Sequence, residues 1–201
     1  MLTLHHLDYS RSTRVLWLLE ELGLLYELVR YQRPVGGPAP ERLAKVHPLG
    51  KSPVLVDDGF VLAESSAILR YLDACYGGSR FTPGEPNARA RHDEWLDYVE
   101  GSLALPLFVP LAAGRDLPDR MRTGFDAQLG RAWDHIGRTV ASQGFLLGDE
   151  LTLADMQMSY VLAVASAIGA LKRHPEVGAY FQRLMDRPAL ARAIVAGGPM
   201  A

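Results

Sequence analysis

The pattern of apolar residues changes near residue 77, and this change constrains the fold more than any other feature of the sequence. Before it, Leu2–Leu7 and Tyr26–Tyr31 show the pattern of short strands, and Ser12–Leu22 between them has helical spacing. Two strands joined through a helix are expected to run parallel. After residue 77 only helical spacings occur. We therefore expect an α/β domain followed by an all-α domain.

The stretch Gly50–Leu72, GKSPVLVDDGFVLAESSAILRYL, predicts how the first domain continues. Two apolar runs flank Asp57-Asp58-Gly59, which is a typical signal of a β-hairpin. A helix is predicted from Ser65 onward, and a short helix over Glu41–Val46 precedes the hairpin. The expected order of elements in this domain is βαβαββα.

A segment rich in glycine and proline, Gly77–Ala88, is predicted to link the two domains. It places the first domain at residues 1–77 and the second at residues 88–201.

Within the second domain, a predicted helix over Trp95–Leu103 should be kinked or broken by Pro106 and Pro110. Further along, Thr152 and Asp155 have the spacing of a capping box at the start of a buried helix.

The composition limits the partners. Charged residues make up 22% of the 201 residues and the net charge is −2, so neither nucleic acid nor a membrane surface is an expected partner. No run approaches the roughly 18 uninterrupted apolar residues of a membrane-spanning helix. Cys75 is the only cysteine, so we expect a cytoplasmic protein without internal disulfides, and its place on an apolar helix face predicts a buried thiol. His5 and His6 should point to opposite faces of a strand, and we assign no metal.

Pro53 is placed where a proline suits the first residue of a strand, because it cannot donate a ladder hydrogen bond. If the Ser52-Pro53 bond is cis, the chain turns sharply and the N–H and C=O of Val54 face outward. Such an edge can hold a short peptide as an added antiparallel strand.

The start of the next helix offers the second half of a clamp. The amides of Ser65 and Ser66 should be free there, and a helix N-terminus favours a carboxylate. Glu64 beside them would suit an ammonium group, and Lys51 could meet a second carboxylate. A small peptide with an α-amino acid head at one end, such as glutathione, fits this description.

The loop before the first helix, DYSRSTR, offers Tyr9, Ser10 and Ser12 as hydroxyl donors to the thiol of such a peptide. A free thiol has a pKa of about 8.5. Lowering it by roughly 1.5–2 units requires about 2–3 kcal/mol of selective thiolate stabilisation, which a hydroxyl and a helix N-terminus can supply. Ser10 also suits the simpler role of a helix N-cap.

The whole chain resembles the cytosolic glutathione transferases. HPLGKSPVLV and LAESSAILRYL are similar to the family's glutathione-binding segments, and LTLADM to a capped helix of its second domain. The resemblance implies a thioredoxin-like N-terminal domain and an all-helical one. It implies glutathione as co-substrate, no metal, a homodimer, and glutathione contacts from Lys51, Ser52, Pro53, Val54, Glu64 and Ser65.

Within this family, SRSTRVLWLLEEL is most similar to the serine-type branch, which implies that Ser10, four residues before Arg14, activates the thiol. Tyr9 adjoins the place of the catalytic tyrosine in the tyrosine-type enzymes and stays an alternative. The electrophile is expected in an apolar cleft between the domains. The resemblance places Tyr98, Leu107 and Phe108 at the family's wall positions, and a role in the hydrophobic core is the alternative for these three residues.

Two other classes of function remain open on the sequence. One is a non-catalytic protein of the same fold that binds apolar ligands or serves in assembly. The other is a glutathione-dependent peroxidase or isomerase, because the same activated thiol serves those reactions.

Overall fold

The computed structural model describes residues 1–201 and begins with a four-stranded sheet flanked by helices. Its elements are β1 (Leu2–Leu7), α1 (Ser12–Leu22), β2 (Tyr26–Tyr31), β3 (Val54–Asp57), β4 (Phe60–Ala63) and α2 (Ser65–Tyr76). A short 3₁₀ helix, Glu41–Lys45, stands where the short helix was predicted. The strand order is β2-β1-β3-β4, with β1 and β2 parallel and the other pairs antiparallel. The predicted βαβαββα domain is confirmed.

Helix α1 lies at the centre of the molecule. It packs against α2, against β1 and against two helices of the C-terminal domain. Its residues from Ser12 to Leu19 are all buried, including Arg14. Gly23 ends the helix in the left-handed conformation, which glycine adopts without steric cost, and its N–H bonds the carbonyl of Leu19.

The C-terminal domain is entirely helical. Its α-helices are α3 (Pro86–Tyr98), α4 (Ala104–Ala113), α5 (Asp119–Ala141), α6 (Leu153–Ala167), α7 (Pro175–Met185) and α8 (Pro188–Gly197). The capping box at the start of α6 is present: the N–H and the hydroxyl of Thr152 both lie 2.8 Å from Oδ2 of Asp155. This arrangement fixes where α6 begins and therefore where its next residues point.

The interruption predicted at the two prolines occurs earlier in the chain. A π-helical turn, Val99–Leu103, joins α3 to α4, and α4 continues through both prolines. Pro106 lies in the first turn of α4, directly after the π-helical turn. By length and composition alone the helical stretch Pro86–Asp116 could cross a membrane, but here α3 and α4 pack against α6 and α5 of the domain.

The two domains share one hydrophobic core of 40 buried residues, in which α1 side chains such as Leu16 meet residues of α6 and α8. The segment between α2 and α3 is also held in place. The N–H of Phe81 bonds the carboxylate of Asp73, and the carbonyl of Phe81 accepts from the N–H of Leu153. The prediction of a buried Cys75 is wrong, because that side chain is exposed.

Candidate functional site

A cavity of about 330 Å³ lies between the two domains and is lined mainly by polar and charged residues. Five of the six predicted glutathione contacts line it: Lys51, Ser52, Pro53, Glu64 and Ser65. The fold therefore brings these five residues together at one cavity.

On the side of the sheet, the cavity is lined by Ser52 and Pro53, just before β3, and by Ala63 at the end of β4. The Ser52-Pro53 bond is cis, and the Ser52 hydroxyl donates to the carbonyl of His5 at 2.8 Å, which holds this turn against β1. Val54 lies between His5 on β1 and Ala63 on β4 and has no solvent-accessible surface. The expected free edge at Val54 is therefore absent, because β3 is an inner strand.

Helix α2 begins at the cavity wall. Glu64 precedes it with a φ of 70° and makes no side-chain cap, so the first-turn amides of α2 have no capping partner. Ser65 is buried, and its Oγ accepts from Nη1 of Arg14 at 3.2 Å and lies 3.2 Å from Oε1 of Gln157. The Ser65 hydroxyl therefore connects the start of α2 to Arg14 of α1 and to Gln157 of the C-terminal domain.

Glu100, on the π-helical turn, binds two cations beside the cavity. Its Oε1 accepts from Nη1 of Arg14 at 2.6 Å and from Nε of Arg11 at 2.8 Å. Burial alone would raise the pKa of Glu100, but the two guanidinium groups outweigh it and the net shift is downward. Burial lowers the pKa of Arg14 to about 10, so Arg14 remains charged at neutral pH. Two positive charges against one negative leave this end of the cavity favourable to an anion.

The three candidate hydroxyls of the loop before α1 do not line the cavity, whereas Arg11 does. The Oγ of Ser10 is 2.7 Å from both the carbonyl of Leu7 and the Oγ of Ser12, and it accepts from the N–H of Ser12. This contact satisfies the first N–H of α1, whereas the N-cap position itself is Arg11, which makes no side-chain cap. Tyr9 has a φ of 53°, and its carbonyl accepts from the hydroxyl of Tyr160.

Ser12 is connected to a buried histidine. Its Oγ lies 2.9 Å from Nδ1 of His6, and Nε2 of His6 lies 3.0 Å from the carbonyl of Gly197 in α8. Burial lowers the pKa of His6 to about 4, so the ring is neutral at neutral pH. A neutral ring that donates to Gly197 through Nε2 accepts from Ser12 through Nδ1.

An aromatic wall adjoins Arg11. The rings of Phe108 and Tyr160 are stacked with centroids 5.9 Å apart, and the Arg11 guanidinium lies 5.0 Å and 5.4 Å from them. Of the three wall residues expected from the family, only Phe108 is here. Leu107 is buried in the core, and Tyr98 lines a separate groove between α3 and α5.

Sequence reasoning missed Glu100, Gln157 and His47 as members of the cavity lining. Gln157 carried a usable signal, because it lies in a helix that the sequence predicts to be buried, and a buried amide requires partners. Glu100 and His47 carried no local signal of this kind.

Comparison with known proteins decides the family. Residues 1–74 match the family profile described as "Glutathione S-transferase, N-terminal domain", and residues 118–183 match "Glutathione S-transferase, C-terminal domain". The chain is 35% identical to glutathione S-transferase 3 of Schizosaccharomyces pombe, over 94% of this chain and 85% of that protein. This chain belongs to the glutathione S-transferase family.

Two further relatives agree with this assignment. Glutathione S-transferase 1 of Saccharomyces cerevisiae is 33% identical over 82% of this chain and 81% of its own. A crystal structure of a glutathione S-transferase from Actinobacillus pleuropneumoniae is similar with a TM-score of 0.89 and 34% identity, covering 99% of this chain and 94% of that one. The family consists of transferase enzymes, and the two-domain fold expected from the resemblance is confirmed.

Proposed function

We propose that this glutathione S-transferase holds glutathione in the cavity between its domains and presents the thiolate to a small electrophile. The observation that carries the proposal is the uncapped first turn of α2, which opens on a polar cavity that also contains Lys51. A helix start favours one carboxylate of the peptide, and Lys51 can pair with the other. Glu64 lines the same cavity and suits the ammonium group.

Ser10 is proposed as the hydroxyl that stabilises the thiolate, as in the serine-type branch. Its hydroxyl donates to the carbonyl of Leu7, so the O–H must rotate away from that carbonyl to reach sulfur. Arg11 supports an anionic sulfur through its positive charge at the cavity. Ser12 has the weaker claim, because its hydroxyl is engaged with His6, and Tyr9 remains the alternative.

The electrophile is proposed to lie against Phe108 and Tyr160. Aromatic faces suit flat, apolar molecules. The thiolate attacks an electrophilic carbon, a carbon–sulfur bond forms, and the leaving group departs with its electron pair. Proximity and thiol activation provide the rate.

A homodimer and a cytoplasmic location are part of the same proposal. Large apolar side chains are exposed along one edge strand and on the C-terminal domain, among them Phe60, Val61, Leu105 and Met121. A subunit interface would bury surface of this kind. The domain limits at residues 77 and 88 remain predictions within the same proposal.

The experiment measures glutathione binding by calorimetry and, in parallel, conjugation of glutathione to chlorodinitrobenzene. Binding together with conjugation is expected. Binding without any turnover would instead favour the non-catalytic ligand-binding protein. Reduction of hydroperoxides in preference to conjugation would favour the peroxidase, and absence of glutathione binding would refute the proposal.

A further inference from the structure

A buried amide of the C-terminal domain faces the cavity with one end unpaired. Gln157 lies on α6 just after the capping box, and its side chain has no exposed surface. It nevertheless lines the cavity, and its Nε2 has no hydrogen-bond partner. Because an unpaired buried N–H is costly, such a group calls for an acceptor that arrives with a ligand.

Hydrogen-bond directions determine which end of the amide is free. Arg14 can only donate, so the Oγ of Ser65 accepts from its Nη1. The hydroxyl proton of Ser65 then goes to Oε1 of Gln157 at 3.2 Å. This chain of donors leaves Nε2 of Gln157 as the free end.

The position of this free donor restricts the ligand group. Through Oε1 the amide is bonded to the first residue of α2, whose first-turn amides are donors without a cap. The carboxylates around the cavity are Glu64 and Glu100. Arg11, Arg14 and Lys51 oppose them, which leaves an excess of one positive charge. Donors and positive charge together favour an anionic oxygen over an ammonium group.

We propose that Nε2 of Gln157 donates a hydrogen bond to the α-carboxylate of the γ-glutamyl group of glutathione, so that the C-terminal domain takes part in recognising glutathione. This inference rests on the proposed function, in which that carboxylate lies at the start of α2. Glutathione then bridges both domains, and Gln157 is a specificity-determining residue for the γ-glutamyl end.

The test uses two substitutions with opposite chemistry at the same position. Gln157→Leu removes the amide at similar size, and Gln157→Glu keeps an acceptor for Ser65 but places a negative charge where the donor stood. Calorimetry is expected to show glutathione binding about tenfold to a hundredfold weaker for Gln157→Leu, and weaker still for Gln157→Glu. The control is Gln128→Glu, the same charge change at an exposed position of α5, which should bind like the parent.

A second probe separates recognition from a structural effect. A glutathione analogue whose γ-glutamyl α-carboxylate is amidated lacks the charge that Gln157 recognises. The affinities of parent and Gln157→Leu for this analogue should therefore differ much less than their affinities for glutathione. The inference is overturned if Gln157→Leu weakens both probes equally, or if Gln157→Glu binds glutathione as tightly as the parent. If the parent itself binds no glutathione, the proposed function fails along with the inference. If Gln157→Glu does not fold, the two probes on Gln157→Leu decide.

Discussion

Glu100→Gln tests the ion pair that joins the two domains beneath the cavity. The change leaves the Arg14 guanidinium, whose side chain has no exposed surface, without its charged partner 2.6 Å away. Breaking a buried pair in this way costs about 3–5 kcal/mol. Because about a third of the Glu100 side chain is exposed, we expect the lower end, about 3 kcal/mol, and a fall in melting temperature of roughly 6–12 °C. Urea unfolding and calorimetric melting at pH 7 measure both quantities.

The matched control is Asp97→Asn, which removes another ion pair between the domains. Asp97 is mostly exposed and lies 3.2 Å from Arg70, so its loss should change stability by less than about 0.5 kcal/mol. The pKa of Glu100 is lowered in the folded state, so its contribution is present above the unfolded pKa and is lost as pH falls through the folded pKa. Parent and Glu100→Gln should therefore converge in acid. Equal small losses in the two variants at pH 7 would refute the reasoning.

Three further changes test other parts of the structure. In the unfolded chain His6 binds a proton below about pH 6.5, whereas burial delays protonation in the folded protein to about pH 4. The free energy of unfolding of the parent should therefore fall by up to about 3 kcal/mol as the pH is lowered across that window. Urea unfolding of His6→Gln should show no such fall, and an equal pH dependence in the two proteins would contradict the reasoning. Ser65→Ala should weaken glutathione binding by about 1–3 kcal/mol in calorimetry, and an unchanged affinity in a folded variant would remove Ser65 from the site. Phe60→Glu should convert a dimer into the 22.1 kDa monomer in sedimentation, and a parent that is already monomeric would contradict the dimer.

Most of the fold could be predicted from local patterns because its signals are local. The hairpin turn, the capping box and the start of α2 each depend on residues that are close in sequence. The failures concern packing. By its spacing Cys75 belongs to the apolar face of α2. Beyond the helix, however, the chain turns back and the N–H of Phe81 bonds the carboxylate of Asp73, so Asp73 is buried and Cys75 is exposed.

The site residues also fall into those that the local sequence predicts and those that only packing brings together. Pro53 and Glu64 are recognisable because each marks the start of an element, and both line the cavity. Glu100 and Gln157 reach Arg14 and Ser65 across 86 and 92 residues of sequence. Only the packing of α1 and α2 against the C-terminal domain brings them there. Ser10 is a case of local ambiguity, because a serine that caps a helix and a serine that faces a thiol look alike in sequence.

The pH titration of the ultraviolet thiolate absorbance of bound glutathione tests the central claim most directly. The account predicts a midpoint roughly 1.5–2 units below the value of about 8.5 for a free thiol. In Ser10→Ala the midpoint should return toward the free value, and conjugation at neutral pH should slow about tenfold to a hundredfold. Ser12→Ala serves as the control for loss of a buried hydroxyl, with an expected stability loss of about 1 kcal/mol from the lost hydrogen bond to His6 and little change in the midpoint. A parent midpoint at the value of the free thiol would contradict the account. An upward shift of the midpoint in Tyr9→Phe but not in Ser10→Ala would assign stabilisation of the thiolate to Tyr9.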